Sequence, residues 1–272
     1  MNDDLESGLV PGANEAVGPK AIDPHAMARR DLKSSLPKRF YKDVTVAELD
    51  GAFRILLDGR TVRTPLRNHL AVPGAELANT IAGEWAAQQE YIDPAVMPLT
   101  RIVNSALDGV AREEDAVAAE IVKYAGSDLL CYRAGDPEAL VEEQAAAWDP
   151  LIAWMRDACG AQFILAEGVM FATQPEPAIS AFRNSLQTLV DAGRSRPLLL
   201  AGLHVMTTLT GSAILALAVG QLHMTAQGAW AAAHVDEEFQ ARFWGEDAEA
   251  ADRRARRWLD MQAAARMVLA CR

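Results

Sequence analysis

Between residues 39 and 73, apolar and polar positions alternate over short spans, in RFYKDVTVAEL, AFRILLDGRTVRTP and HLAV; from about residue 75 onward, apolar positions recur every three or four. The first pattern belongs to strands covered on one face and the second to amphipathic helices. Asp58-Gly59 sits between FRILL and RTVRT. That is a two-residue hairpin signal, because a type I′ turn needs positive φ at both central positions. A small antiparallel β unit is therefore expected over residues 37–74. Four short strands bury too little to be secure alone, so the unit should lean on the helices that follow.

After Pro73-Gly74, Leu77, Ile81 and Trp85 share one face of a predicted helix that closes before Asp93-Pro94. Further helices are predicted over 99–108, 112–125 and 137–158, with Pro150 bending or splitting the last. AQFILAEG at 161–168 reads as one extra strand. PEPAISAFRNSLQTLVDAG gives a helix with Gly193 at its C′ position. Thr225 should cap a helix over 226–244 that Gly245 ends, and Asp247 should start a last one reaching about Ala270. The expected fold class is α+β, a small antiparallel β-rich N-terminal domain followed by a larger all-helical C-terminal domain. Its divisions are a flexible arm over 1–36, the β-rich domain over 37–74 and the helical domain over 75–272.

The run LLLAGLHVMTTLTGSAILALAV, residues 198–219, contains no charged side chain. Its length meets the requirement for a membrane span of roughly 20 apolar residues. Its centre does not, because His204, Thr207, Thr208, Thr210, Ser212 and two glycines cluster where insertion is least tolerant. The run is instead expected to be the central helix of the helical domain, apolar all round because neighbours enclose it. His204 should then be a hydrogen-bonded core histidine.

Charge narrows the function classes. The 272 residues carry 37 Asp and Glu against 26 Lys and Arg, a net charge of -11, which disfavours a nucleic-acid binder or an anionic membrane surface. Cys131, Cys159 and Cys271 form no CxxC pair, so they read as buried thiols of a reducing compartment. The N-terminus begins acidic, with neither a secretory apolar segment nor an Arg-rich presequence, and the expected location is a bacterial cytoplasm. No GxSxG, HExxH, GxxxxGK, GxGxxG or EF-hand pattern occurs. No metal or cofactor is expected, since His234 with Glu238 offers two ligands where a site needs three or four.

The most informative stretch is AWAAAHVDEEFQARFWGEDAE, residues 229–249. On one helix, Val235, Phe239 and Phe243 would form a core-facing stripe, while Trp230, Glu237 and Trp244, spaced by sevens, would share another side. Glu238 can pair with Arg242 at i,i+4, leaving Glu237 without a local cation. One reading is a solvated helix face. The other is a partner-binding surface of Glu237, Glu238, Trp230, Trp244, Arg242 and Glu246, in which Trp supplies anchor area and the carboxylate meets a partner's cation. On the final helix, Glu249 with Arg253 and Asp252 with Arg256 are i,i+4 pairs that account for much of the DRRARR charge.

KRFYKDVTV, FRILLDGRTVRTP, AGEWAAQ, MPLTRIVNSALD, GLHVMTTLTGS, LALAV and DEEFQARFWGEDAE, in this order, resemble the ATP synthase assembly chaperone family specific for the alpha subunit of the soluble catalytic head. The resemblance runs from about Lys38 to the C-terminus. It implies a β-rich domain on a helical one, no enzymatic activity, and a partner in the unassembled alpha subunit, whose later contact with beta the chaperone covers. It carries the family's acidic element onto Glu237 and Glu238, and its EW motif onto Glu84 and Trp85. Glu237 is expected to contact the client, whereas Glu84, Trp85, Phe239 and His204 are expected to be structural. The rival reading from another class is a small-molecule hydrolase or transferase built around His234, Glu237 and Glu238.

Overall fold

The structure, a computed structural model, describes residues 36–168, 172–245 and 247–272. The N-terminal arm expected over 1–36 therefore lies, but for its last residue, outside the described residues, and so does Glu246.

Strands β1 (Val44–Leu49) and β2 (Ala52–Leu57) pair antiparallel, with Val46 opposite Ile55. Strand β3 (Arg60–Thr61) and strand β4 (Ala71–Val72) both pair with β2. Asp58 and Gly59 take φ of 47° and 79°, as the hairpin signal required; Asp50 and Gly51, at 55° and 74°, repeat the device between β1 and β2. The covered face presents Ile55, Leu57, Val62, Leu70 and Val72. Helix α1 (Ala75–Ala86) lays Leu77, Ala78 and Ile81 against it.

Helix α1 ends at Ala86, short of Asp93-Pro94. Helices α2 (Pro98–Asp108) and α3 (Glu114–Ala125) occupy the predicted positions. Helix α4 (Glu138–Cys159) runs through Pro150 without splitting. The strand expected over 161–168 shrinks to β6 (Ala166–Glu167), which pairs in parallel with β5 (Tyr132–Arg133). Helix α5 (Glu176–Ala192) ends at Gly193, which is extended (φ -85°, ψ 168°) and not left-handed. Glycine is needed there for another reason. A Cβ at that position would lie 2.1 Å from Leu199 Cδ1 and 3.0 Å from the Cys271 carbonyl.

The uncharged run forms two helices where one was expected. Helix α6 (Arg196–Thr210) stops at Gly211, whose φ of 68° is left-handed, and helix α7 (Ala213–Gly220) restarts after Ser212. Ser212 Oγ accepts from Leu215 N at 3.0 Å. The buried Asp128 carboxylate accepts from Ile214 N at 3.0 Å and from Leu130 N at 3.1 Å. Burial pushes Asp128 up to about 6, against the lowering action of hydrogen bonds from Ser212, Ile214, Leu130 and Ala213. All eight residues of α7 are buried, and α6 packs against α2, α3, α5 and α7. Among the described residues no helix is long and apolar enough to cross a membrane. His204 departs from expectation: its side chain is 29 % exposed, and Nε2 faces Glu120 Oε2 at 3.4 Å without a hydrogen bond.

Helices α8 (Ala226–Ala233), α9 (Val235–Trp244) and α10 (Ala248–Cys271) complete the chain. Thr225 Oγ1 accepts from Gly228 N at 3.0 Å, and Asp247 Oδ1 accepts from Glu249 N at 3.0 Å, the caps the sequence called for. Helix α10 returns along α6, burying Met261, Ala263, Ala264, Met267 and Val268.

Candidate functional site

The stretch 226–244 is not one helix. It breaks at His234 (φ -116°, ψ 20°), which ends α8 and opens α9. His234 Nδ1 lies 2.7 Å from the Trp230 carbonyl, so that nitrogen carries the proton and donates. The break removes the spacing by sevens that aligned Trp230 with Glu237. Trp230 is half-buried, with ring centroids 4.1 Å from His234 and 5.5 Å from Trp258.

Helix α4 holds α8 and α9 at three points. Trp148 Nε1 donates to the Ala232 carbonyl at 2.7 Å. Gln144 Nε2 donates to Asp236 Oδ1 at 2.7 Å, while its Oε1 accepts from Ala134 N at 2.8 Å. Arg242 Nη2 meets Glu143 Oε2 at 2.5 Å, and its guanidinium lies 5.2 Å from the ring centre of the buried Phe239. The expected Glu238–Arg242 pair is thus replaced: Arg242 turns to α4, and Glu238 faces Arg254 of α10 at 4.0 Å.

Three consecutive carboxylates therefore have three different fates. Asp236 is engaged with Gln144 and Glu238 with Arg254, whereas Glu237 is exposed and has no salt-bridge or hydrogen-bond partner among the described residues. Glu237 lines a groove of about 490 Å³ with Trp244, Arg253 and Arg257. Arg253 pairs with Glu249 at 2.6 Å, and Arg257 donates to the Leu209 carbonyl at 2.6 Å. The other expected pair, Asp252 with Arg256, does not form, and both side chains are exposed. At the end of α9, Phe243 is 69 % and Trp244 88 % exposed. Phe243 was expected in the core stripe. Phe239 alone of that stripe is fully buried, and Phe243, one turn further on, meets its ring with centroids 4.9 Å apart and stays exposed.

Glu84 and Trp85 lie far from this surface in their contacts. Glu84 Oε1 accepts from Leu99 N at 2.8 Å, and Oε2 accepts from Thr100 N and Thr100 Oγ1, each at 2.7 Å. It caps α2 from a neighbouring helix. Trp85 is half-buried, packed against the core cluster that contains Leu77 and Ile81 and against Tyr41, ring centroids 5.9 Å apart. Sequence reasoning missed Gln144, Trp148 and Glu143, whose signal is faint: a glutamine and a tryptophan at i,i+4 on the apolar side of a helix. Among the described residues no group of three His, Cys, Asp or Glu is placed to hold a metal ion. Cys131 and Cys271 are buried and Cys159 half-buried. Burial pushes the Cys131 and Cys271 thiols up to about 12.

The model of the ATP12 chaperone protein family matches residues 38–156. The crystal structure of the Atu1473 protein from Agrobacterium tumefaciens is similar at 49 % identity, covering 92 % of each chain with a TM-score of 0.82. That of Atp12 from Paracoccus denitrificans is similar at 42 % identity, covering 87 % of this chain and 99 % of the other, TM-score 0.78. The mitochondrial protein atp12 of Schizosaccharomyces pombe is 24 % identical over 229 residues, 79 % of this chain and 77 % of that protein.

Proposed function

The chain belongs to the ATP12 chaperone family, and from that membership we propose that it is an assembly chaperone of the F-type ATP synthase. It binds the unassembled alpha subunit of the catalytic head and covers the surface that later meets beta. An obligate subunit interface is apolar and prone to aggregate while uncovered. A temporary cover has to bind it and still be displaced. The observation that carries the reading is Glu237: the one carboxylate of the 236–238 run left without a partner among the described residues, on a helix anchored to α4 through Asp236 and Arg242 and ending in the exposed Phe243 and Trp244. Aromatic area supplies affinity, and the unpaired charge supplies orientation and association rate. Glu238 and Arg242, each in an ion pair, hold the helix, and Trp230 packs beneath it.

Glu237→Lys tests this. The variant should keep its circular dichroism spectrum and melting temperature, because the side chain is exposed. Capture of isolated alpha subunit in a pull-down should fall at least about tenfold, about 1.4 kcal/mol. Unfolding of the variant, or capture at the original strength, refutes the assignment of Glu237 to the client contact.

A further inference from the structure

A separate groove of about 590 Å³ lies at the sheet, between β2, β3 and the end of α1. Its apolar wall is made of Phe40, Tyr41, Leu57, Val62 and Trp85. Phe40 is 73 % exposed, although the backbone on both sides of it is pinned. Ile92 N donates to the Pro37 carbonyl and Arg39 N to the Glu90 carbonyl, both at 2.9 Å, and Tyr41 Oη donates to the Trp85 carbonyl at 2.7 Å. The fold thus holds a phenylalanine out in water. The indole N–H of Trp85 has no acceptor among the described residues, a costly state for a buried donor.

The groove is also basic. Residues 38–72 carry seven Lys and Arg against four Asp and Glu, on a chain of net charge -11. Of the four acids, Asp50 pairs with Arg54 at 2.7 Å, and Asp58 accepts from Lys42 N at 3.0 Å and Asp43 N at 2.8 Å. Arg60 and Arg63 line the groove with one carboxylate, Asp58, which leaves the lining positive by one charge; neither arginine meets a carboxylate among the described residues, and Arg63 donates only to the Arg67 carbonyl, at 2.9 Å. A polynucleotide would meet the acidic remainder of the chain as a polyanion. A short segment presents its charge to the groove alone.

We propose that this groove docks an acidic, extended segment of a partner protein. One large apolar side chain of the segment lies against Phe40 and Trp85, and its carboxylates face Arg60 and Arg63. This surface is distinct from α9, and its occupancy does not depend on Glu237.

The test titrates the ¹⁵N-labelled full chain with a short synthetic peptide of Asp and Glu residues around a single Leu. The Trp85 indole N–H resonance, assigned through Trp85→Phe, should shift saturably. Affinity should fall at least about tenfold in Arg60→Glu/Arg63→Glu and fall with added salt on the unaltered chain. The same peptide with Lys in place of its acids should leave the resonance unmoved. Absence of a shift overturns the proposal, as does an equal shift in the arginine variant. Tighter competition by a peptide of residues 1–12 would assign the groove to the chain's own N-terminus, and self-association abolished by the arginine variant would assign it to a second copy. Either result overturns the partner reading.

Discussion

Removal of the Glu84 carboxylate should unseat α2. Its two oxygens accept from Leu99 N, Thr100 N and Thr100 Oγ1 at 2.7 to 2.8 Å, and these are the second and third residues of a helix whose first, Pro98, has no N–H. Leu99 is 2 % and Thr100 4 % exposed, so water does not replace the lost acceptor. Loss of a capping side chain costs about 1 kcal/mol, and a buried donor left unmade costs about 1–3 kcal/mol. With two backbone donors and a hydroxyl stranded, Glu84→Ala should lose about 3 kcal/mol of folding stability. Glu84→Gln keeps one acceptor oxygen and should lose about half of that. Urea unfolding followed by circular dichroism measures both, with an unchanged slope confirming that the unfolded state is not what moved. An Ala variant within about 0.5 kcal/mol of the parent would refute the capping argument. Normal stability combined with lost capture of alpha subunit would move Glu84 into the client contact.

Three further outcomes follow from buried contacts. Asp128 is raised from 3.8 to about 6, so between those values the folded chain holds a proton that the unfolded chain has lost. Stability from this group is complete below pH 3.8 and declines as pH rises to about 6, by about 3 kcal/mol. The stability difference between the parent and Asp128→Asn, measured by urea unfolding at successive pH values, should swing toward the parent as pH falls from 6.5 to 4; a flat difference refutes it. Gly193→Ala would place its Cβ 2.1 Å from Leu199 Cδ1 and should lose about 1–3 kcal/mol by overpacking, read as a lower melting temperature; an unchanged one shows that Leu199 repacks without strain. Trp148→Phe strands the Ala232 carbonyl, should cost about 1–2 kcal/mol, and should weaken alpha-subunit capture although Trp148 is buried; full capture would show that the α4 anchor does not position α9.

Local signals carried much of the fold. Asp58-Gly59, Thr225 and Asp247 each act through neighbours one to three residues away, and each sits where the sequence placed it. The failures share a cause, which is competition between a local partner and a distant one. Arg242 has Glu238 four residues away, yet it pairs with Glu143, about a hundred positions earlier, because the packing of α9 on α4 brings that carboxylate to its tip. The break at His234 has no glycine or proline to announce it. It is held from outside, by Trp148 on the carbonyl of residue 232 and by Gln144 on the side chain of residue 236. The break puts Trp230 on a different helix from Glu237 and Trp244, so their spacing by sevens no longer aligns them. Phe243 keeps its i,i+4 place after Val235 and Phe239 but lies in the last turn of α9, where it is exposed, while Glu237, whose prediction rested on the absence of a local cation, has no partner among the described residues.

The same anchoring explains how a ten-residue helix can present a defined face. An isolated helix of that length is marginal in water, and α9 buries only Phe239. Its persistence rests on the contacts to α4 made by Asp236 in its first turn and Arg242 in its last, with Ala232 of α8 held just before it. Those contacts also decide which groups stay outside. The proposed client face therefore owes less to the density of acid at 236–238 than to the unequal engagement of its members. Asp236 is bonded to Gln144 and Glu238 faces Arg254, and the carboxylate between them is left to act on a partner.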